Sequence, residues 1–182
     1  MGVVFRRVLM IMGGLFLVVL LGVFLGYIFL VSPLHTSKSE YASPKDVRFV
    51  LNWCELGDGR IEKVIHSYKS HRSLTGDHND AYAIKITHVE LSELAKKDFS
   101  GAPHWYRGDQ LPEVVNQAVS FAVVLNSSLK DYSWFPSEKD LRSKDFYVYS
   151  WKIEFHGLMT TSADLIFIHP ADQMVYFFSG KT

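Results

Sequence analysis

The 182 residues carry 19 Lys and Arg against 19 Asp and Glu, a formal net charge of zero. That balance excludes the basic stripe on which phosphate-tracking nucleic-acid binders depend, so no nucleic acid is expected as a partner. Cys54 is the only cysteine. An intrachain disulfide is thereby excluded, which leaves burial as a small apolar residue, or pairing between chains, as its role.

The first element is apolar. Residues 8–31 contain no charge and follow Arg6-Arg7; as a helix they extend roughly 36 Å, against about 30 Å of bilayer hydrocarbon. A cleaved signal peptide has a shorter apolar core that ends on small residues, and Tyr27-Ile28-Phe29-Leu30-Val31-Ser32-Pro33-Leu34 offers no such step. The segment reads as an uncleaved transmembrane signal anchor, with residues 1–7 as a cytoplasmic tail because cations are retained inside. The chain beyond Pro33 then lies outside, in the periplasm of a bacterial inner membrane. Gly14, Gly22 and Gly26 fall near one helix face, a spacing that allows close approach of a second copy or of another membrane helix.

Residues 32–42 are polar and lack apolar periodicity, as expected of a linker. Residues 43–182 are long enough for one domain. Ser43-Pro44-Lys45-Asp46 opens a short helix, with Ser43 as N-cap and Pro44 in the first turn, and Leu56-Gly57-Asp58-Gly59 ends it. Ile61–Lys69 fits both helical and strand spacing and is taken as strand. Tyr82, Ile84 and Ile86 alternate with Ala83, Lys85 and Thr87, so a hairpin is expected about the Thr75–Asp80 turn. Leu91–Phe99 reads as a helix stopped by Gly101-Ala102-Pro103, and Pro112–Leu125 as the main core-packing helix.

The C-terminal third reads as β. In Phe146–Phe155, strict alternation puts Tyr147, Tyr149, Trp151, Ile153 and Phe155 in one buried row. Ala163–His169 and Met174–Ser179 form a last hairpin around Pro170. The sum is an α+β domain with an antiparallel sheet of about five strands and two to three helices on one face.

The Ser70-His71-Arg72-Ser73-Leu74-Thr75-Gly76-Asp77 loop before a strand, together with the Tyr- and Phe-rich final hairpin ending in Lys181-Thr182, resembles a group of small bacterial membrane-anchored proteins. In that group a His- and Gly-rich loop with a Gly-Asp step precedes the strand. Arg72-Ser73 stands here where paired glycines are usual. The resemblance implies an α+β fold and a bacterial origin, and it implies no catalytic residue.

His71, Asp77, His78 and Asp80 gather on one predicted loop, where imidazole and carboxylate ligands suit a divalent metal. Neither an H-E-x-x-H step nor EF-hand spacing accompanies them. G-x-S-x-G and phosphate-binding glycine loops are also missing, so no cofactor is expected. Trp105, Tyr106 and Arg107, and Trp134 and Phe135, lie in predicted loops, where large aromatics beside Arg suit a protein partner. The expected function is non-catalytic protein binding by the outer domain, as an accessory subunit of an envelope complex or an immunity-type inhibitor of a toxin. The alternative is a metal- or carboxylate-dependent hydrolase acting on envelope material.

Overall fold

A computed structural model describes residues 2–31, 42–95, 105–127 and 132–182. The chain forms two compact units, Met1–Thr36 and Ser37–Thr182. The described residues of the first form one helix, α1 (Gly2–Val31), whose side chains are described at Arg6 and Arg7 and over 12–27. Among the described residues no helix is long and apolar enough to cross a membrane. Leu15, Phe16, Leu17, Val18 and their neighbours are exposed along α1, and a Cβ added at Gly14, Gly22 or Gly26 would meet nothing within 4 Å among the described residues outside the local helix backbone. The predicted linker lies outside the described residues except for Ala42.

The second unit is α+β. Its sheet has six antiparallel strands in the order β1-β2-β6-β5-β4-β3. They are β1 (Ile61–Lys69), β2 (His78–Ile86), β3 (Tyr106–Arg107), β4 (Tyr147–His156), β5 (Met159–His169) and β6 (Met174–Lys181). Five of them match the predicted strands. The sixth, β3, is two residues long and pairs with Tyr147 and Val148, too short to carry an alternation signal. Gly108 follows it directly: a Cβ there would collide with the carbonyl oxygens of Leu141 and Ser143, so only glycine lets this segment lie so close to its neighbour.

Helical segments cover both faces of the sheet, where the sequence suggested one. The reason lies in β5 and β6, whose alternate residues are apolar on both sides and need two covers. On one face, a 3-10 turn (Pro44–Val47) and α2 (Arg48–Trp53) place Val47, Val50 and Leu51 against Tyr82, Ile84, Ile86, Ile166, Ile168 and Phe177. Asp46 accepts from the Ser43 backbone N–H at 2.8 Å and from its hydroxyl at 2.7 Å, which fixes the entry the sequence anticipated. On the other face, α4 (Glu113–Ser127) sets Val115, Ala118, Val119 and Ala122 on Leu165, Phe167 and Phe178. The predicted helix at Leu91 is seen as the single turn α3 (Leu91–Leu94); residues 96–103 lie outside the described residues. A further turn, α5 (Glu138–Leu141), is capped by Ser137.

The predicted aromatic row of β4 does not stay on one side. Ser150 pairs with Leu165 and Lys152 with Asp164, so Trp151 is the extra residue of a β-bulge, and the bulge reverses the alternation after it. Tyr147 and Tyr149 therefore pack on the α2 face and Ile153 on the α4 face. Trp151 is 47% exposed and Phe155 40%. The edge strand β1, and β4, which β3 pairs only at Tyr147 and Val148, both carry register shifts, and such irregular edges resist pairing with a further strand.

Candidate functional site

The polar loop disperses its four predicted ligands. His71 is exposed, with Nδ1 2.9 Å from the Arg72 carbonyl oxygen. The Asp77 carboxylate accepts from the Thr75 hydroxyl at 2.6 Å, and hydrogen bonds from Thr75 and Ser73 hold its pKa below the usual carboxylate value. His78 and Asp80 belong instead to β2, on the face that carries Tyr82. Asp80 is buried and pairs with Arg72 at 2.8 Å; burial raises its pKa against the pull of that guanidinium. Among the described residues, no group of three or more His, Cys, Asp and Glu side chains could hold a metal.

His78 makes a contact that no local pattern announces. Its Nδ1 lies 2.9 Å from the Gly76 carbonyl oxygen and its Nε2 3.0 Å from the Ser179 hydroxyl. A carbonyl only accepts, so in the neutral ring Nδ1 carries the proton and Nε2 accepts from Ser179. The pair joins residues 101 positions apart, through the β2–β6 register.

The aromatic clusters divide. Trp105 is 4% exposed and packs at 5.5 Å on Tyr149 inside the α2-side core. Tyr106 and Arg107 form β3, and the Arg107 guanidinium is held by Asp109. Trp134 and Phe135 build something different. Trp134 stacks between His66 (5.1 Å, 15°) and Tyr132 (5.5 Å, 16°), and Phe135 meets Phe167 and Tyr176 edge-on. Tyr132 in turn covers Tyr68 and Ala81. The result is a partly exposed aromatic shelf resting on strands β1 and β2.

Beneath the shelf lies a buried polar network. Asn126 is the last buried position of α4, on the apolar stripe of Val115, Ala118, Val119 and Ala122. Asn79 on β2 donates from Nδ2 to Asn126 Oδ1 at 3.2 Å and accepts from the Tyr132 hydroxyl at 3.2 Å. Its backbone N–H also donates to the Ser70 hydroxyl at 2.7 Å. One side chain thus ties strand, helix and shelf. Burial, reinforced by Tyr68, Asp80 and Tyr82, pushes the Tyr132 pKa far up, so its hydroxyl keeps its proton and stays a donor.

A pocket of about 320 Å³ opens at this point, lined by Val123, Asn126, Tyr132, Phe135, Pro136 and Glu138 among others. Asn126 is one of the lining residues, but its Nδ2 is buried away from solvent and has no hydrogen-bond partner among the described residues. A second pocket of about 420 Å³ lies between His88, Glu90, Lys144, Asp145 and Pro170. There His88 and Glu90 already pair with each other at 3.0 Å. Sequence reasoning placed Trp134 and Phe135 in a recognition loop but missed His66, Asn79 and Asn126 as its supports. The one local signal was an Asn in register with a stripe of Val and Ala.

No protein-family model, no curated protein and no solved structure matches the chain.

Proposed function

We propose that this is a single-pass bacterial inner-membrane protein whose periplasmic domain, residues 43–182, binds a protein partner through the Tyr132-Trp134-Phe135 shelf and its pocket. Membrane placement rests on the uncharged run 8–31 behind Arg6-Arg7. The observation that carries the binding reading is Trp134, partly exposed, yet held flat between His66 and Tyr132. A preordered aromatic loses little freedom when a partner covers it, which is why such side chains dominate interface energies. The partner is a protein of the envelope, met as a subunit of a complex or as a toxin to be neutralised.

A hydrolase is the second reading, favoured by the hydrogen bond between His78 and Ser179. A nucleophile and base alone do not stabilise the oxyanion of acyl transfer. β6 lies between β2 and β5, so the backbone N–H groups around Ser179 are committed to the two ladders, and binding is the stronger reading.

The test is photo-crosslinking in the native host. A benzophenone amino acid at Ser133 should give one discrete protein adduct that disappears when Trp134→Ala is added. The same probe at Leu158, 93% exposed beyond the end of β4, should not give that adduct. Identical adducts from both positions, or none at Ser133, contradict the proposal.

A further inference from the structure

We infer that two hairpin apices at one end of the sheet, Leu74 on the β1–β2 turn and Leu158 with Met159 on the β4–β5 turn, dip into the surface of the lipid bilayer. The inference rests on the membrane placement proposed above and gives the outer domain a contact with lipid of its own. The Gly76 backbone N–H donates to the Ser73 carbonyl at 3.0 Å, which puts Leu74 at the leading corner of a β-turn. His156 pairs with Met159, so Gly157 and Leu158 form a two-residue loop, with Gly157 at φ +62° in its first position. Such corners ordinarily carry Gly, Asn, Asp or Ser. Here Leu74 is 95% exposed, Leu158 93% and Met159 72%, so none of the three holds the fold together.

The strand register puts both apices at the same end. His78 pairs with Lys181, Lys181 with Ser162 and Ser162 with Glu154, and the two turns leave the sheet beyond this level, three strand spacings or about 14 Å apart. The chain enters the domain there too. The Ala42 backbone N–H donates to Ser67 Oγ at 3.1 Å, and β1 finishes at Lys69. Residues 32–41 join Ala42 to α1 with at most about 40 Å of chain. The opposite end of the sheet is a further strand length away, about 30 Å for a strand such as β2, so the tether favours the apex end as the one that meets lipid. Two corners about 14 Å apart offer a protein no groove, whereas a bilayer asks only for apolar surface at the depth of the headgroup and acyl boundary. The three side chains are uncharged and Arg72 beside them is paired with Asp80 at 2.8 Å, so zwitterionic lipid suffices.

The test uses the full chain in phosphatidylcholine nanodiscs, spin-labelled at one introduced cysteine at a time, with Cys54 buried. The positions are His156, exposed beside the Leu158 apex, Ala171, exposed in the β5–β6 turn at the opposite end, and Val18, 69% exposed on α1. Oxygen, which concentrates in lipid, and a water-soluble nickel chelate are compared as relaxing agents. The ratio of oxygen to nickel collisions at His156→Cys should exceed that at Ala171→Cys by at least about threefold, as at the headgroup and acyl boundary. Adding Leu74→Ser, Leu158→Ser and Met159→Ser should bring it down to the Ala171 value; the label is the same in both, so its own affinity for lipid cancels. A His156 label as open to nickel as the Ala171 label, one shielded from both agents as by a second copy or another protein, or a ratio that the serine changes leave unmoved, overturns the inference. Should the serine variant fail to fold, the comparison of His156 with Ala171 still decides. Val18→Cys separates the two claims: a Val18 label in lipid with the His156 label in water leaves the anchor standing and removes the apex contact, whereas the opposite pair of results removes the anchor and keeps the apices.

Discussion

Replacing Asn79 by Ala deletes one side chain and strands two others. The Tyr132 hydroxyl and Asn126 Oδ1 each lose the partner they meet at 3.2 Å, and both residues are at least 94% buried. A stranded buried polar group costs about 1–3 kcal/mol, so the two together should cost about 2–5 kcal/mol, allowing for their coupling. Tyr132→Phe strands only Asn79 Oδ1 and should cost about 1–3 kcal/mol. In the Asn79→Ala background the same Tyr132→Phe change removes an already stranded hydroxyl, and its cost should fall to near zero. The assay is urea unfolding of Ser37–Thr182, the unit that contains the three hydrophobic clusters of the described residues, followed by tryptophan fluorescence. Unchanged slopes would show that the midpoint shifts report stability. A loss below about 0.5 kcal/mol for Asn79→Ala, or single changes that simply add, would refute the network as the tie between β2, α4 and the shelf.

Other outcomes follow from burial and charge. Trp151→Ala should cost only about 0.5–1.5 kcal/mol, the range for its stack on Trp53 at 5.1 Å, while Phe167→Ala, fully buried, should cost about 3–5 kcal/mol; the reverse order in the same unfolding assay would contradict the bulge at Trp151. Burial pushes the Cys54 thiol up to about 12, so in the folded protein it should resist maleimide under mildly alkaline conditions and react once denaturant is added. Asp80 tests pH dependence. Its carboxyl is raised above 3.8 by burial, so the folded state holds that proton to higher pH than the unfolded chain. Stability should therefore fall as pH climbs from the ordinary aspartate value through the folded one, and Asp80→Asn should lack that fall. Unfolding midpoints of both forms between about pH 4 and pH 7 check it; a wild type that gains on Asp80→Asn as pH rises would show the Arg72 pairing to prevail over burial.

Much of the fold was legible because local periodicity and caps are recorded in neighbouring residues. The Ser43-Pro44 helix start, the alternation of Tyr82, Ile84 and Ile86, and the α4 stripe all reappear in the structure. The bulge at Trp151 was not legible, because a bulge depends on partner-strand register and leaves alternation in its own sequence intact. Cover on both faces was half legible, in the two-sided apolar character of β5 and β6. The candidate site was harder. Trp134 and Phe135 drew attention by residue type alone, and Trp105 did so equally although it is buried. Only tertiary contacts distinguish them. Asn79, Asn126 and Tyr132 come from strand, helix and loop, and Ser179 meets His78 only because β6 pairs with β2. Sequence spacing carries no record of such pairings.

The central claim is that the outer domain acts by binding a protein through the shelf. Its most direct test compares two full-length variants in the native host, each first shown to unfold at the wild-type temperature. One replaces Trp134 and Phe135 with Ala; the other replaces His71, Asp77, His78 and Asp80 with Ala or Asn. Recovery of the adduct partner formed at Ser133, measured by affinity capture after crosslinking at an unaltered neighbouring position, should fall at least about tenfold for the first, the scale of losing an aromatic anchor, and stay near wild type for the second. Loss of capture in the second variant with retention in the first would contradict the account and move the functional surface to the His78–Ser179 face of the sheet.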